Sequence, residues 1–436
     1  MTKAPPKASL LALLPFLVFA VFYVGLSVWA NDFYKVPMVV AFLVASAVSV
    51  SLNRKRSLSE KIDSYSFGMG ETNIMMMCLI FILAGAFATI AKASGAVDAA
   101  VVLAQSIIPA RLMVAGVFLI SSIISLAIGT SCGTIAAVTP IALGFAGSLS
   151  LSPALLTGAV VGGAMFGDNL SMISDTTIAA TRTQGVAMRD KFLVNSAIAF
   201  PAAMLALLLY AASGSAVGTV VTPPVTWQHG LLVLPYVLIL VLALAGLNVM
   251  MLLFAGTCLS ALIGGLIGRF DFFGALDVLG KGTLGMSETL IVAILAGGLF
   301  RSVQTNGGIL WLTDRISRIV RGPRTCEFAV AVIVSAVNLF TANNTVAIVI
   351  AGPIARECAE RSGAIPSRVA SVLDTMSCVV QGLIPYGAQI LIALGVAKGL
   401  NMDMNAFALV KSLYYQPLLA LVVFASMFMA NRGRRV

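Results

Sequence analysis

The sequence predicts an all-α polytopic membrane protein, and three observations carry that expectation: composition, a recurring series of apolar runs, and an internal duplication. Of 436 residues, 59% are apolar and only 10% are charged. A soluble domain carries roughly 25% charged residues, so this chain cannot cover a globule with polar surface. Apolar runs near the length that crosses a hydrocarbon core recur at 9–30, 36–52, 72–91, 111–129, 133–149, 153–180, 192–212, 230–247, 249–268, 289–304, 327–341, 345–355, 369–398 and 407–430. They amount to about twelve to fourteen membrane segments, with no soluble domain between them.

The first run follows Lys3 and Lys7. It is too long for a signal-peptide core and "SVWAND" is a poor cleavage site, so it reads as a retained helix. The net charge of +10 is dispersed over short loops; without an aromatic-interleaved patch it signals orientation in a membrane and not nucleic acid. Lys and Arg gather in 53–61, around Arg182, Arg189 and Lys191, in 315–324, at Arg356, Arg361 and Arg368, and in 431–436. The positive-inside rule makes those loops cytoplasmic. Between them 31–33, 147–153, 213–226, 269–281 and 398–406 carry little positive bias and alternate as outside loops. A multi-pass protein of the cell (inner) membrane with both termini in the cytoplasm follows. The six cysteines lack C-x-x-C spacing and read as reduced packing residues. The single histidine, His229, sits beside Trp227 at an interface, and no metal or nucleophile motif points to an enzyme or a cofactor.

The duplication is visible directly. "GMGET" (68–72) recurs as "GMSET" (285–289), and "LAGAFATIAKASG" (83–95) as "LAGGLFRSVQTNG" (295–307). Pro140 pairs with Pro353 and Pro153 with Pro366. The charge pattern starts one copy at the cytoplasmic face and the other outside, so 1–215 and 226–436 read as two inverted-topology halves of a single membrane domain, an architecture common among secondary transporters.

In such folds the binding site lies near the midplane, where broken or re-entrant helices free backbone groups toward a cavity. Four breaks are expected, two per half: "GTSCGT" (129–134), 160–177, "TANNT" (341–345) and 373–389. Each is rich in Gly and in hydroxyl or amide oxygen. A sodium ion takes about five or six hard oxygen ligands, as other hard cations do, and such breaks supply them.

Asp168 and Asp175 lie in "FGDNLSMISDTT" (166–177), amid an apolar stretch. A carboxylate in the membrane interior costs several kcal/mol and signals function by default. On a continuous helix the two would share a face; Gly162, Gly163 and Gly167 instead favour a break near 167–172. Either aspartate can hold a cation or a proton, not both, which is a basis for exchange. The plainer alternatives are that Asp175 caps the following half-helix, that Asn343 and Asn344 bond helices together, that Asp374 pairs with a basic residue near the interface, and that Glu71 and Glu288 cap their helices.

"GTSCGTIAAVTPIA", then "GAVVGGAMFGDNLSMISDTTI" and "TANNTVAIVIAGPIA" resemble the NhaC-type sodium/proton antiporters, a family that also includes exchangers and carriers of small organic solutes. The resemblance covers about 68–400 and implies an ion-transporter-type fold, a homodimer and elevator-like movement. It places the ion-site motif on Thr130, Ser131, Asp168, Ser171, Ser174, Asp175 and Thr176, and a second-half motif on Asn343, Asn344 and Thr345. Sodium is then expected at Asp168, Asp175, Ser171 and Asn344. The family usually reads FGD-H-x-S-P; this chain has Asn169 for the His and Met172 for the Pro, which removes a group titrating near neutrality. Sodium and protons are the expected partners. Alternatively, Asn343, Asn344, Gln381, Tyr386 and Gln389 supply hydrogen bonds to a small organic anion or amino acid, with Asp374 a further candidate site residue.

Overall fold

A computed structural model describes residues 7–30, 35–53, 56–214, 224–245, 247–318 and 320–429. The loop 31–33, the tail 431–436 and most of 213–226, which the charge pattern assigns to one face or the other, lie outside the described residues. Among those described there is no strand. Eight helices are long and apolar enough to cross a membrane, and five shorter apolar helices accompany them, which together match the expected number of segments. All six cysteines are free, and Cys78, Cys326, Cys358 and Cys378 are buried among the helices.

The first half runs through α1 (Leu10–Gly25), α2 (Met38–Ser51), α3 (Leu58–Met69), α4 (Thr72–Ser94), α5 (Ala96–Ile107), α6 (Met113–Ile128), α7 (Ser131–Leu149), α8 (Pro153–Leu170), α9 (Asp175–Gln184) and α10 (Met188–Gly214). The chain continues through α11 (Trp227–Leu242), α12 (Val249–Leu266), α13 (Phe272–Gly285), α14 (Ser287–Thr305), α15 (Gly308–Ser317), α16 (Pro323–Thr341), α17 (Asn344–Ser362), α18 (Pro366–Leu383) and α19 (Ala388–Gly399), followed by the short α20 (Ala406–Lys411) and α21 (Tyr415–Met429). Packing is reciprocal between the halves. Helix α4 lies on α12 and α13 as α14 lies on α2 and α3, and α9 lies on α17 as α19 lies on α7. Within the halves, α6 packs on α8 as α16 packs on α18.

Small residues set how closely these helices approach, as expected where packing and not water expulsion drives association. A side chain at Gly163 or Gly167 would collide with the backbone carbonyls of Phe118 and Ser122 on α6. These glycines therefore serve contact between α6 and α8, and α8 continues through them to Leu170. The break falls just beyond, over Ser171–Ser174, where Ser174 caps α9 by accepting from the Thr176 amide at 3.3 Å. Capping belongs to Ser174; Asp175 is the first helical residue after it.

The other three breaks fall where Gly, hydroxyl and amide residues interrupt apolar sequence. Gly129 ends α6 at φ 74 and Thr130 opens α7. At the matching point α16 ends on Ala342, also left-handed at φ 47. A non-glycine residue there costs about 1–3 kcal/mol, so its surroundings must hold it. Asn343 opens α17, its Oδ1 accepting from the Val346 amide at 3.0 Å. Between α18 and α19 the chain is non-helical over 384–387.

Candidate functional site

The four breaks are joined by one run of hydrogen bonds. Asp168, in the last turn of α8, is 5% exposed. Ser131 Oγ, at the start of α7, donates to its Oδ2 at 2.7 Å. Ser174 Oγ, across the break, donates to Oδ1 at 2.6 Å and lies 2.9 Å from Thr176 Oγ1. The N-terminal end of α7 thus faces the carboxylate, which favours its negative charge. From Ser131 the run crosses to the other half. Gln389 Nε2 donates to Ser131 Oγ at 3.0 Å, and Gln381 Nε2 donates both to Gln389 Oε1 and to the Ala342 carbonyl, each at 2.8 Å. The left-handed Ala342 is therefore held by a side chain of the opposite broken pair. Gln381 Oε1 is buried without a partner, an acceptor left over along this run.

Asp374 is equally buried but in a different electrostatic situation. On α18, its Oδ2 accepts from the ammonium of Lys191, 1% exposed on α10. Lys191 Nζ also donates to the Asn169 carbonyl and to Thr177 Oγ1, each at 2.9 Å. One turn on, Asn195 Nδ2 donates to the Asn169 carbonyl at 2.7 Å and to Asn169 Oδ1 at 2.8 Å, while Ser371 and Thr375 donate to Asn195 Oδ1 at 2.8 and 2.6 Å. This network sews α10 and α18 to the end of α8. Lys191 is thus not an exposed charge as its neighbours Arg182 and Arg189 are; it turns inward at the head of its helix. Asp374 is thus paired with a basic residue, the plainer of the two readings its position allowed, while Arg368 pairs with Glu327 through two 2.8 Å bonds.

The remaining residues singled out in the sequence spread around these two clusters. Asp175 is exposed on the first turn of α9, so the structure does not bring it to Asp168. Ser171 Oγ donates to the Leu126 carbonyl at 3.0 Å, tying the break to the end of α6. Thr130 is half-buried, and its carbonyl accepts from Thr134 Oγ1 at 3.1 Å. Asn344 is buried beside Ala342; its Oδ1 accepts from the half-buried Thr345 amide at 3.1 Å and its Nδ2 has no partner. Tyr386 OH donates to the Leu339 carbonyl at 2.5 Å, fastening the 384–387 break to the end of α16. Glu71 stands at the cap position of α4 without making the cap bond. Glu288 pairs with Lys398 at 2.8 Å. Lys191 and Asn195 were missed by sequence reasoning, although K-x-x-x-N spacing puts both on one helix face.

A helical membrane domain whose four chain breaks meet around a buried carboxylate defines a membrane carrier of small ions or solutes. The Na+/H+ antiporter family model matches residues 7–222 and 210–430, and the chain belongs to that family. It is 24% identical over 387 residues to the Bacillus subtilis "Na(+)/H(+) antiporter NhaC", covering 81% of this chain and 84% of that protein. A shorter match, 28% identical over 184 residues, is to the Bacillus subtilis "Malate-2H(+)/Na(+)-lactate antiporter", covering 42% of this chain and 39% of the relative. Another, 31% identical over 159 residues, is to "Na(+)/H(+) antiporter NhaC" of Alkalihalophilus pseudofirmus, covering 36% and 33%. In these last two the chain spans between a third and two fifths of the relative's length.

Proposed function

We propose that the protein exchanges sodium for protons by alternating access, with Asp168 as the carboxylate that the two ions share. The observation that carries this reading is the contrast between two buried aspartates. Asp374 is compensated by Lys191, whereas Asp168 is held by the Ser131 and Ser174 hydroxyls and the Ser131 backbone amide and forms no ion pair among the described residues. An isolated buried carboxylate is costly, so it takes up either a proton or a cation. The Ser131, Ser174 and Thr176 hydroxyls supply neutral oxygens of the kind a hard cation prefers. The Ala342–Gln381–Gln389–Ser131 run joins this position to the second half, so that ion occupancy and the relative placement of the halves are coupled.

Competition at one carboxylate has a sign. Sodium binds the proton-free form, so raising sodium lowers the pH at which half of the sites are available. In proteoliposomes the midpoint of the pH profile should fall by about one unit per tenfold rise in sodium above its dissociation constant. A midpoint that stays fixed overturns the shared site.

The same reading places the protein in the cell (inner) membrane as a homodimer, with both termini cytoplasmic and the halves inverted. A cysteine at exposed Arg318, in a cysteine-free background, should react with an impermeant maleimide only after the membrane is opened. Labelling in intact cells rules out the inverted arrangement. A second reading, coupled movement of a small organic anion or amino acid, is favoured by the likeness to the "Malate-2H(+)/Na(+)-lactate antiporter".

A further inference from the structure

A cleft of about 440 Å³ opens between the α3–α4 junction, the end of α14 and the break before α17, and Glu71, Asn73, Arg301, Gln304, Thr341 and Asn343 give it its polar lining. It holds two opposite charges that do not neutralise each other. Arg301 donates through Nη1 to Gln304 Oε1 at 3.0 Å and lies over the Phe67 ring at 4.9 Å, while its Nε is buried without a partner. Glu71 accepts from Asn73 Nδ2 at 3.3 Å, and no ion pair joins it to Arg301 among the described residues.

The duplication shows that the scaffold does not need this arrangement. Arg301 matches Thr89 in the 83–95/295–307 stretch and Glu71 matches Glu288 in the 68–72/285–289 stretch, two matches whose registers differ by five residues; Lys398 already neutralises Glu288. Only one copy therefore pairs a free guanidinium with a free carboxylate. An arginine fork matches a carboxylate in two bonds, and Arg301 is held over the Phe67 ring as a cation on an aromatic face. Glu71 repels a second carboxylate and favours a group that donates a hydrogen bond.

We infer that this cleft binds a small monocarboxylic acid bearing an amino or hydroxyl group, with its carboxylate on Arg301 and its donor group on Glu71. Thr341 and Asn343, which line the cleft, bracket Ala342, whose carbonyl receives Gln381, so a ligand here lies against the two residues that flank the end of the run that leads to Asp168. The inference deepens the organic-solute reading and rests on the chain being a carrier, but its test reads binding and not flux.

Purified full-length protein in detergent with sodium would be titrated with alanine, lactate and succinate, following the melting midpoint and calorimetric heat. Alanine or lactate should bind and succinate should not. Arg301→Gln and Arg301→Lys should each weaken binding roughly tenfold or more, as expected for losing a hydrogen bond to a charged group. The lysine variant, which keeps the charge, covers the case in which glutamine disturbs folding. Glu71→Gln should abolish alanine binding if the ligand is an amino acid and spare lactate if it is a hydroxy acid. Succinate binding as tightly, Arg301 variants binding like wild type, or a phospholipid retained through Arg301 in its place would overturn the inference. Absent binding alongside intact sodium/proton exchange would sink it and leave the exchange reading standing; binding without any sodium-coupled flux would do the reverse.

Discussion

Asp168→Asn is expected to remove sodium-driven proton exchange while leaving the protein folded in the membrane. The substitution keeps the size of the side chain, and the Ser131 and Ser174 hydroxyls can rotate to suit an amide. What is lost is the charge of the buried carboxylate that the Ser131 and Ser174 hydroxyls face. Depriving a buried cation of its charged partner costs about 3–5 kcal/mol, which is roughly two to four orders of magnitude in apparent sodium affinity. Asp175→Asn is the natural control. Its carboxylate is exposed, and exposed charges contribute about 0–1 kcal/mol, so sodium affinity should stay within roughly fivefold. Flux into proteoliposomes against an imposed pH gradient reads both variants. If Asp168→Asn keeps its sodium dependence, or if Asp175→Asn is the variant that loses it, the exchanged ions meet at another carboxylate.

The breaks were legible because a bilayer tolerates non-helical backbone only inside protein or along a cavity, so Gly, Ser, Thr and Asn interrupting apolar runs stand out. Gly129 marks where one helix ends, and Asn343 and the hydroxyl cluster 174–177 mark where the next begins. Two features were not legible. The glycines of α8 read as helix breakers, but a residue without a side chain serves close contact equally well, and only the position of Phe118 and Ser122 on α6 distinguishes the two uses. Likewise the seven-residue spacing of Asp168 and Asp175 describes a shared face only on a continuous helix; the turn between α8 and α9 buries one and exposes the other. Counting loop charges hid Lys191 for a related reason. Position along the chain gave it the character of Arg182 and Arg189, while the face on which it sits, shared with Asn195, directs it to Asp374.

That buried pair carries the second large effect. Lys191→Met leaves Asp374 without its counter-charge and also strips a donor from the Asn169 carbonyl and from Thr177. Removing one member of a buried ion pair costs about 3–5 kcal/mol, whereas replacing both by neutral groups is often close to neutral. Lys191→Met alone should therefore lower the melting midpoint in detergent sharply and reduce the amount of protein in the membrane. Lys191→Met combined with Asp374→Asn should recover most of both. A double-mutant cycle measures the difference as a coupling energy, which for residues in direct contact reaches about 0.5–3 kcal/mol. Transport separates the two aspartates further. If Asp374 serves to fasten α10 to α18, the recovered double variant should still shift its pH midpoint downward as sodium rises, because Asp168 is untouched. A double variant that is stable yet insensitive to sodium would move the ion-sharing role to the Lys191–Asp374 pair. A single Lys191→Met variant as stable as the wild type would show instead that the pair does not hold these helices together.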